Sequence, residues 1–169
     1  MKVKVTGVGL YIPPKIETAE DIAPKIGKPV DWIIEKSGVS ERRVSEIDVD
    51  QMGAMAGKEA LGKGGKPDLI INASGVPKQT IPDTSTFYQR ELGFEGIPSF
   101  SVHCTCLSFI TALNTAASLI HSGSYNRILI ISSDSNKNSP FNFALTRGFD
   151  SHHPLQFLSE YSLGRICDK

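Results

Sequence analysis

Cys106 is the residue of this sequence that is best placed to do covalent chemistry. It stands between an apolar segment that ends near His103 and a long segment of helical pattern that begins near Leu107. A thiol at such a junction can face the first free N–H groups of the helix, whose partial positive charge favours the nucleophilic thiolate. The same N–H groups can hold the oxyanion that forms when a thioester is attacked. The position predicts an acyl-accepting cysteine, and a small, inert, buried cysteine is the alternative interpretation.

Other kinds of chemistry are disfavoured by the spacing of the candidate residues. Cys104 and Cys106 are separated by one residue, whereas zinc sites usually have two residues between paired cysteines and a second ligand pair further on. A thioredoxin-like redox site also needs two intervening residues. His152 and His153 are interpreted as a solvated loop pair rather than a catalytic dyad. No metal site is predicted.

The segments around Cys106 alternate between two patterns. Strands are predicted for residues 2–8, 68–73, 99–103 and 127–132, and helices for residues 18–25, 30–36, 49–63, 84–92 and 107–121. The later strands are short apolar runs between turn residues, which is typical of strands buried in a parallel sheet. Their alternation with helices predicts an α/β fold with a mostly parallel sheet and crossover helices.

This pattern is lost after Ser133. The remaining sequence has scattered aromatic residues and polar clusters, a short helical pattern at residues 154–162 and no strand pattern. We therefore divide the chain into a domain at residues 1–135 and a divergent tail at residues 136–169. Our hypothesis is that the residues from about 135 onward arise from a frameshift or another truncation of a longer gene.

Composition and charge limit the partners and the compartment. Eighteen basic residues balance eighteen acidic ones, so no overall field attracts nucleic acid or an anionic membrane. No apolar run approaches the roughly 20 residues of a membrane span, and the first residues lack the apolar core of a signal peptide. Three cysteines are too few for a disulfide framework, which indicates free thiols and a reduced cytoplasm.

Four segments together resemble the N-terminal half of the β-ketoacyl-acyl-carrier-protein synthase III family, a branch of the thiolase superfamily. They are VKVTGVGLYIPP, DWIIEKSGVSERR, IPDTSTFYQRELG and FSVHCTCLSFITALNTAASLIHSGSYNRILIISSD. The resemblance extends over about residues 1 to 135. It implies the N-terminal half of a thiolase-like fold, with the nucleophile at the turn between the third predicted strand and the long helix.

The resemblance also implies roles for particular residues. Cys106 matches the nucleophile that precedes the family's Gly-Phe or Ser-Phe pair, and Cys104 matches a small non-catalytic residue. Trp32 matches the aromatic residue that stacks on the adenine of coenzyme A. Lys36 stands where the family usually has an arginine near the phosphates, and it keeps the charge without the fork geometry. A half-buried packing residue and a solvated charge remain the alternatives for these two residues.

Two further residues follow from the resemblance. Arg147, in an Arg-Gly pair, is a weaker match to a family arginine that contacts the adenine. Ile81 matches a residue that reaches across a dimer interface toward the partner's acyl pocket. The resemblance therefore implies a homodimer.

The implied reaction is a two-step acyl transfer that needs no cofactor beyond the coenzyme A thioester substrate. Cys106 takes an acyl group from acyl-CoA, and the carbanion from decarboxylating malonyl acyl carrier protein then attacks the bound acyl group. The family's catalytic His and Asn lie in the C-terminal half, so the chain is expected to be incomplete for condensation, poorly soluble or self-associating. The alternatives are a non-catalytic remnant that binds an intact homologue, and a condensing enzyme of long-chain or specialised metabolism.

Overall fold

A computed structural model of the chain describes residues 3–135 and 161–168. In chain order the strands are β1 (Lys4–Tyr11), β2 (Lys15–Thr18), β3 (Glu41–Val44), β4 (Leu69–Asn72), β5 (Ser99–Ser101), β6 (Arg127–Asp134) and β7 (Tyr161–Asp168), and the helices are α1 (Ala19–Ile26), α2 (Val30–Ser37), α3 (Val49–Leu61), α4 (Thr84–Leu92) and α5 (Ser108–His121). A 3-10 turn at Thr105–Leu107 precedes α5. The described residues divide into two compact units, of which the first comprises residues 3–11, 47–134 and 161–168 and the second comprises residues 12–46 and 135.

The first unit is built on a five-stranded sheet in the order β1-β7-β6-β4-β5. β4 is parallel to both β5 and β6, and Ile70 lies opposite Ser99 on one side and Leu129 on the other. β7 lies antiparallel between β6 and β1. Four strands therefore share one direction, and the prediction of a mostly parallel α/β sheet with alternating helices is confirmed.

Successive residues of the central strands face opposite sides of the sheet, as the period of two in a strand requires. Ile70, Leu129 and Ile131 pack in one buried cluster with residues of α3 and α4. On the other face, Leu69, Ile71, Ile128 and Ile130 pack with Ala112, Ala116 and Ile120 of α5. Because both faces are covered, both strands are continuously apolar, which is the pattern by which they were predicted.

The first strand is longer than predicted. The sequence suggests a turn at Gly7 and Gly9, whereas β1 continues through both glycines to Tyr11, with an irregular register between Val5 and Gly7. The reason is the close approach of α3. A Cβ atom on Gly9 would lie 2.1 Å from the carbonyl oxygen of Ala56 and 2.5 Å from the backbone nitrogen of Ala60. The glycine therefore permits helix–strand packing rather than a turn.

The prediction that no strand follows Ser133 is wrong. Tyr161–Asp168 forms β7, which pairs with β6 along its whole length and with β1 from Ser162 to Asp168. The last two residues of the helix predicted for 154–162 belong to this strand, and the rest of that helix lies outside the described residues. The division of the chain at residue 135 stays a prediction.

The second unit contains the antiparallel pair β2–β3 with α1 and α2, and its buried cluster is Ala19, Ile22 and Ile33. Both helices were predicted within a residue or two, but the strand pair was not. Glu17 joins these elements through ion pairs with Lys25 and Arg42. Burial alone would raise the pKa of Glu17, but the hydrogen bonds from both bases outweigh it and hold this pKa below its ordinary value.

Candidate active site

The carboxyl ends of the parallel strands β4, β5 and β6 lie at one edge of the sheet, which is where ligands bind in open α/β folds. A polar network joins these ends. Asn72 donates to the Ser101 hydroxyl over 2.8 Å, and the Ser74 hydroxyl donates to the Asn72 side-chain oxygen over 2.7 Å. The Ser133 N–H donates to the Ser74 hydroxyl over 3.0 Å. The network fixes the ends of the strands and the segments that leave them.

The start of α4 is tied to the same edge. Asp83 caps this helix by accepting the Ser85 N–H over 2.8 Å. The same carboxyl oxygen accepts the Ser101 hydroxyl over 2.9 Å. Tyr88, on α4, is fully buried with its hydroxyl 3.2 Å from that of Ser74, and burial raises the pKa of this phenol well above its usual value. It therefore remains a neutral hydrogen-bonding group.

Cys106 lies in the 3-10 turn that leads from β5 into α5, and it is exposed. The Leu107 N–H donates to the Cys104 carbonyl over 3.0 Å, which closes the turn. The buried Ser108 hydroxyl accepts the Cys104 N–H over 2.9 Å and donates to the Thr105 carbonyl over 2.7 Å. The interpretation of Cys106 as a small buried residue is wrong, because the turn presents it to solvent.

The backbone of this turn is strained beside the cysteine. Thr105 has a φ of 50°, and it is the one residue other than glycine with positive φ among the described residues. Such a conformation is uncommon for a β-branched residue and persists only where its surroundings impose it. The α-helix begins at Ser108 rather than at Leu107, so Cys106 lies just before the helix and not within it. That its sulfur faces the first N–H groups of α5 remains a prediction.

Asp134, at the end of β6, is a site residue that the sequence did not single out. Its Oδ1 atom accepts the Val76 N–H over 2.6 Å. A Cβ atom on Gly75 would lie 3.4 Å from this oxygen and 3.7 Å from the Thr105 carbonyl oxygen. The backbone at Gly75 and Val76 is thus packed between Asp134 and the turn that carries Cys106.

The electrostatic setting of Asp134 disfavours its charged form. Burial raises the pKa of its carboxyl group above the ordinary value of an aspartate, although the N–H groups of Val76 and Gly75 and the nearby His103 act in the opposite direction. The only sequence signal for this residue was its place directly after a buried strand, where polar residues often belong to sites.

Ile81 lies in the loop that precedes α4 and is 91% exposed. The Ile81–Pro82 peptide bond is cis. The Gln79 side chain donates to the Ile81 carbonyl over 3.0 Å, and the Thr84 hydroxyl donates to the Gln79 carbonyl over 2.8 Å. These contacts hold the loop in a shape that presents Ile81 outward.

Lys78 anchors the same loop to α3. Its ammonium group lies 2.8 Å from the buried carboxylate of Asp50 and 3.2 Å from that of Asp48. Burial would lower the pKa of Lys78, but the hydrogen bonds to both carboxylates outweigh it and raise this pKa. Arg90 adds a longer contact of 3.4 Å to Asp50. The base of the loop is therefore held by charge, while its tip is apolar.

The residues matched to coenzyme A binding lie in the second unit, on α2. Trp32 is half-buried against the cluster of α1 and α2, and the Lys28 ammonium lies 5.2 Å from the centre of its ring. Lys36 is exposed, with its ammonium 2.9 Å from the Glu35 carboxylate. Trp32 and Lys36 are four residues apart and so lie on one face of the helix. Arg147, His152 and His153 lie outside the described residues.

No group of three or more His, Cys, Asp or Glu side chains within residues 3–135 could hold a metal ion. No helix in the described part of the chain is long and apolar enough to cross a membrane.

Sequence comparisons connect this site to known proteins. Residues 100–141, which include Cys106, match the family model for 3-oxoacyl-[acyl-carrier-protein (ACP)] synthase III. The β-ketoacyl-[acyl-carrier-protein] synthase III 2 of Vibrio vulnificus is 30% identical over 135 residues, which are 78% of this chain and 37% of that protein. The β-ketoacyl-[acyl-carrier-protein] synthase III of Aquifex aeolicus is 32% identical over 139 residues, which are 79% of this chain and 45% of that protein. The chain thus spans less than half the length of these curated relatives.

Solved structures agree with the sequence comparisons. The 3-oxoacyl-[acyl-carrier-protein] synthase III from Aquifex aeolicus superimposes with a TM-score of 0.84 and 26% identity, over 99% of this chain and 54% of that one. An OleA variant from Xanthomonas campestris, solved with lauric acid and lauroyl-CoA bound, superimposes with a TM-score of 0.82 over 100% of this chain and 57% of that one. Its identity of 18% shows a shared fold alone.

The sheet order, the crossover helices and these superpositions define the class, which is the α/β thiolase-like fold. Within this class the chain corresponds, in sequence and in fold, to the N-terminal half of the β-ketoacyl-acyl-carrier-protein synthase III family. The family resemblance and the fold class predicted from the four sequence segments are therefore confirmed.

Proposed function

We propose that this chain carries the nucleophile of an acyltransferase of the β-ketoacyl-acyl-carrier-protein synthase III type, and that Cys106 is that nucleophile. One observation carries the proposal. Cys106 is exposed at the strand-to-helix turn of a thiolase-like fold, within the residues that match the family model. The strained Thr105 and the hydrogen bonds of Ser108 hold the turn that presents this thiol. A fixed nucleophile loses less freedom when it reacts.

The first chemical step uses residues of this chain. The Cys106 thiolate attacks the thioester carbonyl of acyl-CoA, the C–S bond to coenzyme A breaks, and the acyl group remains on Cys106. N–H groups at the start of α5 stabilise the oxyanion of the intermediate. In the second step, malonyl acyl carrier protein loses carbon dioxide and its carbanion attacks the acyl group. In the family that step also uses a His and an Asn of the C-terminal half.

Coenzyme A is bound in this proposal by α2. Trp32 stacks on the adenine, and Lys36 contacts the phosphates after leaving its present partner Glu35. The exchange is favourable, because a phosphate carries more charge than one carboxylate and the Lys36–Glu35 pair is exposed to solvent. The proposal also includes a homodimer in which the loop of Ile81 lies at the interface. It further includes a cytoplasmic location.

Intact-mass spectrometry after incubation with acetyl-CoA or lauroyl-CoA tests the first step. We expect one acyl adduct on the wild-type chain and none on Cys106→Ala. Cys104→Ala is the matched control, because it removes the other exposed thiol of the same turn and should keep the adduct. No adduct on the wild type, or an adduct that survives in Cys106→Ala, would contradict the proposal.

A second candidate is a non-catalytic subunit that binds an intact homologue. The apolar side chains exposed around the turn favour it, since Leu107 is 65% and Ile110 is 61% exposed. Association with a full-length homologue in a pull-down, together with no acylation of Cys106, would support this candidate over the first.

A further inference from the structure

Cys104 is a second exposed thiol in the turn that carries Cys106, and the acyl transfer proposed above does not use it. The spacing of these cysteines disfavours a thioredoxin-like enzyme, which exchanges disulfides with other proteins. A different role needs only that the two sulfur atoms can reach each other. The shape of the turn decides whether they can.

The turn brings the two cysteines close together. Its closing hydrogen bond runs from the Leu107 N–H to the Cys104 carbonyl over 3.0 Å, so Cys104 and Cys106 are the first and third residues of a four-residue turn. Two Cα–Cα steps of about 3.8 Å, bent as tightly as this, place the first and third Cα atoms about 5 to 6 Å apart. Disulfides span Cα distances of about 4.4 to 6.8 Å.

Thr105, between the two cysteines, supplies the bend. Its φ of 50° turns the chain sharply, and its hydroxyl donates to the Cys104 carbonyl over 2.8 Å. The buried Ser108 hydroxyl holds both the Cys104 N–H and the Thr105 carbonyl. Hydrogen bonds within residues 104–108 therefore hold the bend, and both cysteines remain open to solvent.

We propose that Cys104 is a resolving thiol, which forms a reversible disulfide with Cys106 when Cys106 is oxidised by a peroxide. The disulfide protects Cys106 from irreversible oxidation and blocks it as an acyl acceptor until a thiol reduces it. The bond is inferred from the shape of the turn, and only its effect on acyl transfer rests on the proposed function.

The chemistry balances with hydrogen peroxide as the oxidant. The Cys106 thiolate attacks one peroxide oxygen, the O–O bond breaks, hydroxide leaves, and Cys106 becomes a sulfenic acid. The Cys104 sulfur, having lost its proton, then attacks the Cys106 sulfur; the S–O bond breaks, the S–S bond forms and water leaves. Two thiols have lost two electrons to one peroxide, which becomes two molecules of water.

The test is peroxide treatment of the full chain, followed by intact-mass measurement and peptide mapping. We expect the wild-type chain to lose the mass of two hydrogen atoms, with the bond mapped to Cys104 and Cys106, and dithiothreitol to restore the original mass. Cys167→Ser should behave in the same way. Cys104→Ser should lose the disulfide completely, and Cys106 should then be trapped by dimedone as a sulfenic acid or proceed to the sulfinic acid.

Mapping the wild-type chain keeps the test informative even if Cys104→Ser folds poorly. A disulfide that joins Cys106 to Cys167 or to a second chain would overturn the proposal. Irreversible oxidation of Cys106 at the same rate in wild type and Cys104→Ser would also overturn it. If the reduced chain forms this disulfide but never accepts an acyl group, the proposed function fails and the oxidation site stands.

Discussion

Asp134 shows how a single side chain couples two strands at the candidate site. It ends β6, and its carboxylate holds the Val76 N–H that follows β4, while the adjoining Gly75 leaves room against the turn of Cys106. Burial raises the pKa of this carboxyl group above the ordinary value of an aspartate. We infer that Asp134 is a positioning residue for the nucleophile turn, acting through the Gly75–Val76 backbone.

Two substitutions separate the hydrogen bond of Asp134 from its charge. Because the pKa is raised in the folded state, the stability linked to this group is fully present below the pKa of the unfolded chain and is lost as pH rises through the folded pKa. Asp134→Asn keeps an acceptor for Val76 and cannot ionise, so it should match or exceed the wild type near neutral pH. Asp134→Ala leaves the N–H without its partner and should cost about 1 to 2 kcal/mol.

Urea unfolding of the wild type, Asp134→Asn and Asp134→Ala between about pH 4 and pH 8 measures these differences in stability. The wild type should lose stability relative to Asp134→Asn as the pH rises. An unchanged difference between these two chains across the range would show that ionisation of Asp134 plays no part.

At the scale of elements, the close approach of α3 to β1 depends on Gly9, because glycine has no side chain. The Cβ atom of Gly9→Ala would lie 2.1 Å and 2.5 Å from backbone atoms of α3, which cannot rotate away. We expect this substitution to cost about 1 to 3 kcal/mol, since overpacking forces the backbone to move.

Gly57→Ala on the same helix is the matched control for Gly9→Ala. Its Cβ atom would lie 3.2 Å from Ile131 Cδ1 and 3.5 Å from Leu92 Cδ2, which are the mobile ends of side chains. The gain of about 1 kcal/mol in helix propensity offsets this contact, so the substitution should be nearly neutral. Urea midpoints of both variants give the comparison, and an equal loss in the two would refute the role assigned to Gly9.

β7 is one of the strands that local sequence pattern did not reveal. Its sequence includes Gly164 and charged residues, and it lacks the apolar run that marks β4 and β6. Strands within a sheet gain much of their stability from the hydrogen bonds of two neighbours, and β1 and β6 supply these on either side. Pairing with distant segments is not encoded in a short window of sequence.

At the scale of the whole molecule, we expect the exposed tip of the Ile81 loop to contact a second copy of the chain. Ile81 is 91% exposed on a loop that Lys78 anchors to α3, so its side chain is available for contact with a second chain. In the proposed homodimer, Ile81→Asp would bury an unpaired charge, so we expect the dimer population to fall by tenfold or more.

Analytical ultracentrifugation over a concentration series measures this shift. Ile34→Asp is the control, because Ile34 is 41% exposed on a helix and is not part of the loop. A dimer that persists equally in both variants would show that the Ile81 loop lies outside the interface.

The sequence by itself determined the parts whose signals are local. These parts are the buried strands β4 and β6 and the helices α3 to α5, which follow from short apolar runs and from apolar periodicity. Cys106 could be singled out because its place between a strand and a helix can be read along the chain, and four segments of resemblance gave the family.

Only the tertiary structure decided the features that depend on distant neighbours. The continuation of β1 through Gly9 depends on α3, the formation of β7 on two flanking strands, and the role of Asp134 on the backbone at Val76. At Cys106, the exposure of the thiol and the left-handed conformation of Thr105 were likewise not predicted from the sequence. Local periodicity records which side of an element is apolar, and it does not record which other segments will approach that element.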